Sequence, residues 1–351
     1  MSYVHTLDPF LVEIYHGFGI RWYGLAYLAG FVLGYLLVYR LAQKKVTPML
    51  PEQVGDFATW MAIGTLLGGR LGYVFFYSPD LLTSINSHFP YWGVLRVNEG
   101  GMASHGGIMG IMVAAFIYCR RHNIPFLHSL DMVVFGGSLG IFFGRIANYI
   151  NGELYGRQAP EGFFWIVKFP QEMFAWMRNG HEKLMGLGPA VQDLVPPVDP
   201  AVWRGWVSNM NVDMGAYNAV SRTVDQLILA TQNGNEKVIQ ALSLVLTPRY
   251  PSQLFQAVLE GLLVFFALVW VWRKPQKMGV VSGWFGALYC VARIIGEQFR
   301  LPDAHIGYQL FGLTRGQWLS IAMLVVAVGY LVYAYRRTGP KIGGWASHTE
   351  L

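Results

Sequence analysis

The sequence predicts an all-α polytopic membrane protein: seven transmembrane helices, with an extramembrane insert between the fourth and the fifth. Three observations carry that expectation. The 351 residues are 54% hydrophobic and 15% aromatic but only 13% charged, against about 25% charged in a typical soluble domain. Seven apolar windows approach or reach the roughly 20 residues that a spanning helix needs. Basic residues gather in alternate loops between those windows, as they do on the cytoplasmic side of membrane proteins.

In chain order the windows are Trp22 to Leu41, Phe57 to Tyr77, Ser104 to Cys119, Met132 to Ile150, Leu254 to Trp272, Val280 to Phe299 and Trp318 to Tyr335. The third is the shortest. Arg40, Lys44 and Lys45 follow the first window, Arg120 and Arg121 the third, Arg273, Lys274 and Lys277 the fifth, and Arg336, Arg337 and Lys341 the seventh. This alternation places the N-terminus outside and the C-terminus in the cytoplasm. The segments Ser78 to Ala103, Arg157 to Gln253 and Arg300 to Gln317 then face outward. The N-terminus lacks the pattern of a cleaved signal peptide, so the first helix is expected to remain and act as the insertion signal. The chain divides into membrane helices over 1–156, an outward insert over 157–250, and further helices with a tail over 251–351.

Net charge is +6 and the pI is near 9.2. Because the cations fall in short clusters between apolar runs, they fit loops beside anionic lipid and argue against a nucleic-acid partner. Cys119 and Cys290 sit in or beside apolar runs without metal-type spacing and read as small buried hydrophobes. The insert is polar and irregular around Pro189, Pro196, Pro197 and Pro200. Phe163 to Pro170 alternates apolar and polar residues and reads as a strand or extended arm. Asn218 to Leu246 reads as helical. Its face of Val220, Val224, Leu227, Ile228, Val238, Ala241, Leu242 and Val245 suits a small packed subdomain, or a cover for a partner or the membrane core.

The stretch Gly144 to Arg157, GRIANYINGELYGR, places Arg145 inside a predicted membrane helix with Asn148 and Gly152 on the same face. Burying arginine in a bilayer costs about 2.5–3.5 kcal/mol even on lenient scales, so the residue marks a functional site, with Asn148, Asn151 and Glu153 around it. The orientation above puts Tyr23, Arg70, His105 and Arg145 to Asn151 near the outer face. Tyr289, Arg293 and Glu297 share one face of the sixth helix, and Glu260 lies about two turns into the fifth. A single outward-facing site accounts for this distribution. A transporter would spread polar residues through the midplane and inner half, and no internal repeat supports one.

Arg145 and Arg293, with Arg70 and Arg157, offer planar donor forks suited to phosphate, and at this depth the phosphate at hand is a lipid headgroup. The glycines of Gly68-Gly69, Gly100-Gly101, Gly106-Gly107, Gly110, Gly152 and Gly156 are expected chiefly to let helices approach closely. His105, in ASHGGIMG, is the candidate base. Ser104 projects about 100° away from it on a helix, which disfavours a Ser-His nucleophile pair. No metal spacing appears, and no cofactor is implied.

These motifs carry a resemblance. RWYGLAY at Arg21, GGRLGYVFFY at Gly68, GGMASHGGIMG at Gly100, GRIANYINGELYGR at Gly144, PSQL at Pro251 and ARIIGEQFRLPDA at Ala292 resemble, in order, the phosphatidylglycerol:prolipoprotein diacylglyceryl transferase family of bacterial inner-membrane enzymes. The resemblance implies seven helices and a site facing the periplasmic leaflet. It implies phosphatidylglycerol and the lipobox cysteine of a preprolipoprotein as substrates, a thioether as product, and glycerol phosphate as leaving group. It also implies that Tyr23, His105, Arg145, Asn148, Glu153, Gly156, Tyr289, Arg293 and Glu297 match positions the family needs. Two departures stand out. The family commonly has His-Pro-Ser-Gln-Leu-Tyr-Glu where this chain has Tyr250 to Gln256, YPSQLFQ, so an imidazole, a phenol and a carboxylate are absent together. The segment from about Gln171 to Thr247 is also longer than usual. In the expected chemistry Arg145 and Arg293 stabilise the departing phosphate, and His105 takes the thiol proton unless the cationic field alone yields the thiolate. Glu297 orients Arg293, and Asn148, Asn151, Glu153, Gly156, Arg157, Tyr289, Tyr23 and Arg70 shape the headgroup contacts.

Overall fold

The computed structural model describes residues 3–15, 18–87, 89–97, 100–160, 162–302 and 307–346. The fold is mostly helical. The long helices are α1 (Trp22–Gln43), α2 (Pro51–Tyr77), α3 (Ser104–His122) and α4 (Phe126–Ile150). Later in the chain come α11 (Ser252–Gln256) continuing through a π-helical segment (Ala257–Leu263) into α12 (Val264–Val271), then α13 (Val280–Gly296) and α14 (Arg315–Arg336). Among the described residues, four helices are long and apolar enough to cross a membrane: Trp22–Gln43, Phe126–Ile150, Ser252–Val271 and Arg315–Arg336. The α13 helix is apolar but shorter. Glycines and charged residues dilute α2, of 27 residues, and α3, of 19, which are not among the four. The outward residues of these helices are themselves apolar: Val325 and Val326 on α14 are 70% and 72% exposed, a surface suited to lipid rather than water.

The chain forms two compact units. The first comprises Met1–Tyr27, Phe142–Glu260 and Ala292–Ser320. Between α4 and α11 it holds the short helices α5 (Met173–Asn179), α6 (His181–Met185), α7 (Gly188–Gln192) and α8 (Pro200–Asn209). It also holds α9 (Met214–Gln232) and α10 (Glu236–Val245). Asp199, Asp213 and Asn235 cap α8, α9 and α10 by accepting from free backbone N–H groups of the first turn. The helix expected over Asn218 to Leu246 is therefore two helices, because Gly234 at φ +76° breaks it. Val220, Val224, Leu227, Ile228, Val238 and Leu242 face a core with Trp203, Leu184, Leu187 and Met173, so the apolar face packs a subdomain. Trp203 also donates its indole N–H to the Leu184 carbonyl at 2.8 Å. The arm expected over Phe163 to Pro170 contains β4 (Val167–Lys168), which pairs in parallel with β1 (Tyr3–Val4). A hairpin of β2 (Phe10–Tyr15) and β3 (Phe18–Arg21) leads into α1.

His5, just after β1, is buried between the rings of Tyr149 and Phe169, each 5.3 Å away between centroids. Burial pushes its imidazole down to about 4.

The second unit comprises Leu28–Ile141, Gly261–Val291 and Ile321–Leu351. Here α2 and α3 meet along a glycine seam: a Cβ on Gly110 would collide with the Gly64 carbonyl, and one on Gly106 with that of Gly68. Likewise a Cβ on Gly30 would lie 2.9 Å from Gly140 Cα, and one on Gly34 3.1 Å from Gly136 Cα, so α1 and α4 pack backbone to backbone. Asp131 of α4 caps α13, accepting from the backbone N–H groups of Gly279 and Ser282, both at 2.7 Å. Cys119 and Cys290 are free and buried.

Candidate active site

The site is built around a carboxylate in the first unit. Glu260 lies in the π-helical segment, where the wider turn departs from the α-helical spacing of side chains. It is fully buried. Arg145 of α4 donates to Glu260 Oε2 from Nη2 at 2.9 Å and from Nε at 3.3 Å. Arg293 of α13 donates from Nη1 to Glu260 Oε1 at 3.2 Å, and its Nη2 forms an ion pair with Glu297 Oε2, one helical turn on, at 2.9 Å. Glu297 Oε1 accepts from the Thr314 hydroxyl at 3.2 Å. The two arginines contributed by helices far apart in sequence thus meet on one buried anion, and two carboxylates balance two guanidinium groups. A Cβ on Gly296 would lie 3.2 Å from Glu260 Oε1, and one on Gly316 2.9 Å from Glu297 Oε1, so both glycines keep room for the carboxylates.

One helical turn beyond Arg145, Asn148 Oδ1 accepts from the Tyr23 hydroxyl of α1 at 2.5 Å. Glu153 follows the helix; burial pushes its carboxyl above the ordinary value, and the nearby polar groups of Asn151 and Tyr23 oppose that rise. The PSQL motif fixes this turn from the other side. Ser252 Oγ donates to the Leu154 carbonyl at 3.1 Å and Gln253 Nε2 to the Glu153 carbonyl at 2.6 Å. Gly156 is where three stretches of backbone cross: its N–H donates to the Tyr250 carbonyl at 3.1 Å, and a Cβ would lie 2.7 Å from the Phe299 carbonyl oxygen. Arg157 donates from Nε to the Arg300 carbonyl at 2.8 Å and stands over the Tyr308 ring, holding the chain beyond α13. The last residues of the ARIIGEQFRLPDA motif, Asp303 and Ala304, lie outside the described residues.

Three expected site residues belong to the second unit. His105 is the second residue of α3 and is exposed. Tyr289 stacks on Phe285 along α13, with centroids 5.9 Å apart. Arg70 differs from the expected headgroup ligand: it is buried, and its guanidinium donates to the carbonyls of Val94, Gly93, Gly100 and Gly101 at 2.6–3.1 Å. Those bonds bind the α2–α3 loop and occupy the fork that a phosphate would need.

Two contributors were not among the expected site residues. Glu260 was visible as a carboxylate in an apolar window, but nothing local to it identifies two arginine partners 115 and 33 residues away. Gln256 is fully buried, and neither of its amide atoms has a partner among the described residues; it lies beside Gly296. Tyr250 and Phe255, the other two departures, pack with Phe163 and Phe299 as an aromatic cluster. Among the described residues no three His, Cys, Asp or Glu side chains gather to hold a metal ion.

An apolar helical scaffold holding two arginines on a buried carboxylate defines a membrane protein whose site is suited to an anionic group. More narrowly, the chain belongs to the prolipoprotein diacylglyceryl transferase family, which it matches over residues 9–333. The phosphatidylglycerol–prolipoprotein diacylglyceryl transferase of Bdellovibrio bacteriovorus is 49% identical over 342 residues, covering 97% of each chain. That of Rhodospirillum centenum is 36% identical over 332 residues, covering 94% of this chain and 92% of the relative. That of Idiomarina loihiensis is 33% identical over 333 residues, covering 95% of each.

Proposed function

We propose that this protein transfers the diacylglyceryl group of phosphatidylglycerol to the lipobox cysteine of a preprolipoprotein in the bacterial cytoplasmic membrane. The observation that carries the chemistry is the junction of Arg145 and Arg293 on Glu260. In this reading α2, α3 and α13 span together with the four long apolar helices, the N-terminus is periplasmic, the C-terminus is cytoplasmic, the segment 157–250 is a periplasmic insert, and the site opens to the periplasmic leaflet.

The reaction is a substitution at carbon. The cysteine sulfur forms a C–S bond to the glycerol carbon of the diacylglyceryl group, and the C–O bond to phosphate breaks. Glycerol phosphate leaves with the electron pair, and its phosphate gains one negative charge. Arg145 and Arg293 stabilise that charge as it forms, and they act more strongly for being preorganised in an apolar surround. Glu260 holds both guanidinium groups in place and offsets their charge until the lipid arrives. Arg145 engages Glu260 through Nε and Nη2, which leaves Nη1 as its donor for a phosphate oxygen. Asn148, held by Tyr23, with Asn151 and Glu153, orients the glycerol headgroup. Tyr289 lines the lipid's path. Glu297 orients Arg293, while Gly156 and Arg157 fix the backbone around it.

A thiol of ordinary pKa about 8.5 is mostly protonated at neutral pH, and His105 receives its proton as the C–S bond forms. Arg70 anchors the α2–α3 loop and does not contact the headgroup. The test is direct: incubate the purified protein with phosphatidylglycerol and a lipobox peptide and weigh the peptide. A gain of one diacylglyceryl group supports the reading; an unchanged mass across several lipid mixtures ends it.

A further inference from the structure

A second lipid contact suggests itself away from the arginine junction. Within the second unit, the end of α12, the start of α13 and the end of α14 border an open pocket of about 170 Å³ lined by Trp270, Arg273, Lys274, Gln276, Trp284 and Tyr335. The Arg273 guanidinium lies 3.9 Å from the centre of the Trp270 ring, a stacked cation–π arrangement that keeps its N–H edge available for an oxyanion. Trp284 Nε1 donates to the Tyr335 hydroxyl at 3.0 Å, so the hydroxyl proton of Tyr335 is free to be given to an incoming oxygen.

The walls are fixed. Gln276 Nε2 donates to the Val271 carbonyl at 3.0 Å and Lys277 Nζ to the Tyr335 carbonyl at 2.7 Å. Gln276 and Lys277 form β5, which pairs antiparallel with β6 (Lys341–Ile342) of the tail. Arg273 and Lys274 are exposed and have no carboxylate partner among the described residues. The local sequence offers none, with no Asp or Glu from Leu262 to Gly296 or from Ala304 to Thr349. Asp131 approaches the head of α13, but both its oxygens are bound to Gly279 and Ser282.

We propose that this pocket binds the phosphate headgroup of an anionic membrane phospholipid, as a site that shares no residue with the arginine junction. The occupant follows from position and chemistry. The pocket lies at the ends of two helices of spanning length. Its rings are exposed, Trp270 at 65% and Tyr335 at 45%, and such amphipathic rings settle at the headgroup level of a bilayer. Uncompensated cations beside them attract anionic lipid. The inference does not depend on the transfer reaction.

Native mass spectrometry of the full chain in detergent, titrated with dioleoylphosphatidic acid, tests it. Binding to the wild type is compared with that of an Arg273→Gln/Lys274→Gln double variant and of Trp270→Ala; both changes fall on exposed residues, and melting curves check that the variants are folded. The double variant is expected to lose one lipid adduct, its affinity falling about 30-fold, and Trp270→Ala to weaken the same adduct. Dioleoylphosphatidylcholine should show no difference between wild type and variants, and free glycerol phosphate should not displace the adduct. Equal phosphatidic acid adducts in wild type and double variant, phosphatidylcholine bound by the wild type as tightly as phosphatidic acid, or displacement by glycerol phosphate would each overturn the proposal. Because Arg145 and Arg293 are intact throughout, a protein inactive in transfer still gives a decisive answer here.

Discussion

At the scale of single residues, Glu260 bears the most. It is buried and holds both arginines, so Glu260→Gln takes from Arg145 the carboxylate it pairs with and leaves Arg293 to Glu297. Removing one partner of a buried ion pair costs about 3–5 kcal/mol, and we expect a clear drop in melting temperature with a loss of transfer of at least ~100-fold. A variant that melts and turns over like the wild type would remove Glu260 from the account. His105→Gln separates two routes for the thiol proton. If the imidazole takes it, activity at pH 7 falls by a factor of about 10²–10⁴ with lipid binding unchanged; full turnover would leave the cationic field as the sole activator. Arg145, Asn148, Arg293 and Glu297 were legible in the sequence, because arginine in an apolar window is costly and helical spacing sets what shares its face. The contact through Glu260 was not, since a π-helical turn and a pairing across 115 residues leave no local pattern. Arg70 misled for a related reason: a buried guanidinium serves backbone carbonyls as readily as a phosphate, and the sequence does not say which carbonyls come near.

At the scale of elements, Gly68, Gly106 and Gly110 pack helix on helix as their spacing suggested, whereas Gly100, Gly101 and Gly152 serve turns at positive φ, and the packing can be tested by contrast. Gly110→Ala drives a methyl group into the Gly64 carbonyl, whereas a Cβ on Gly137 meets nothing within 4 Å. Overpacking costs about 1–3 kcal/mol, so thermal unfolding in detergent should show Gly110→Ala destabilised and Gly137→Ala unchanged or slightly stabilised by its better helix propensity. Similar melting for the two would mean that the α2–α3 seam is looser than described. The N-terminal strand carries a pH dependence. The unfolded His5 binds its proton near pH 6.5, the folded one only near 4. Between those values the unfolded state holds more protons, so the stability from docking is complete above about 6.5 and declines as the pH falls toward 4. Replacing His5 with Phe should flatten the fall in melting temperature between pH 7 and pH 5; an unchanged slope would assign that fall to other groups. Helical windows were legible because their apolar runs are long. The α9–α10 break was less so, since the periodicity of the apolar residues carries on past Gly234.

At the scale of the whole molecule, the unit that carries the site is assembled from three separated stretches of chain. Hydropathy orders the windows along the sequence but says nothing of which stretches of chain share a unit. The subdomain built on Trp203, Leu184 and Leu227 belongs to the same unit as Arg145 and Arg293, and its base is tied to the site's turn. Arg249 bonds Glu172 at 2.6 Å and the Gly156 carbonyl at 3.1 Å. Arg249→Ala should therefore lower transfer to the peptide while leaving the subdomain folded, as read by parallel turnover and circular dichroism measurements; unaltered turnover would make that tie purely structural. The central claim is that Arg145 and Arg293, gathered on one buried carboxylate, together stabilise the departing phosphate. Its most direct test is the rate at which a lipobox peptide gains a diacylglyceryl group from phosphatidylglycerol, measured for the wild type and for folded Arg145→Lys and Arg293→Lys variants. The account predicts steady mass gain with the wild type and at least ~100-fold slower gain with either variant, because lysine keeps the charge but loses the planar fork; wild-type rates in both variants would contradict it.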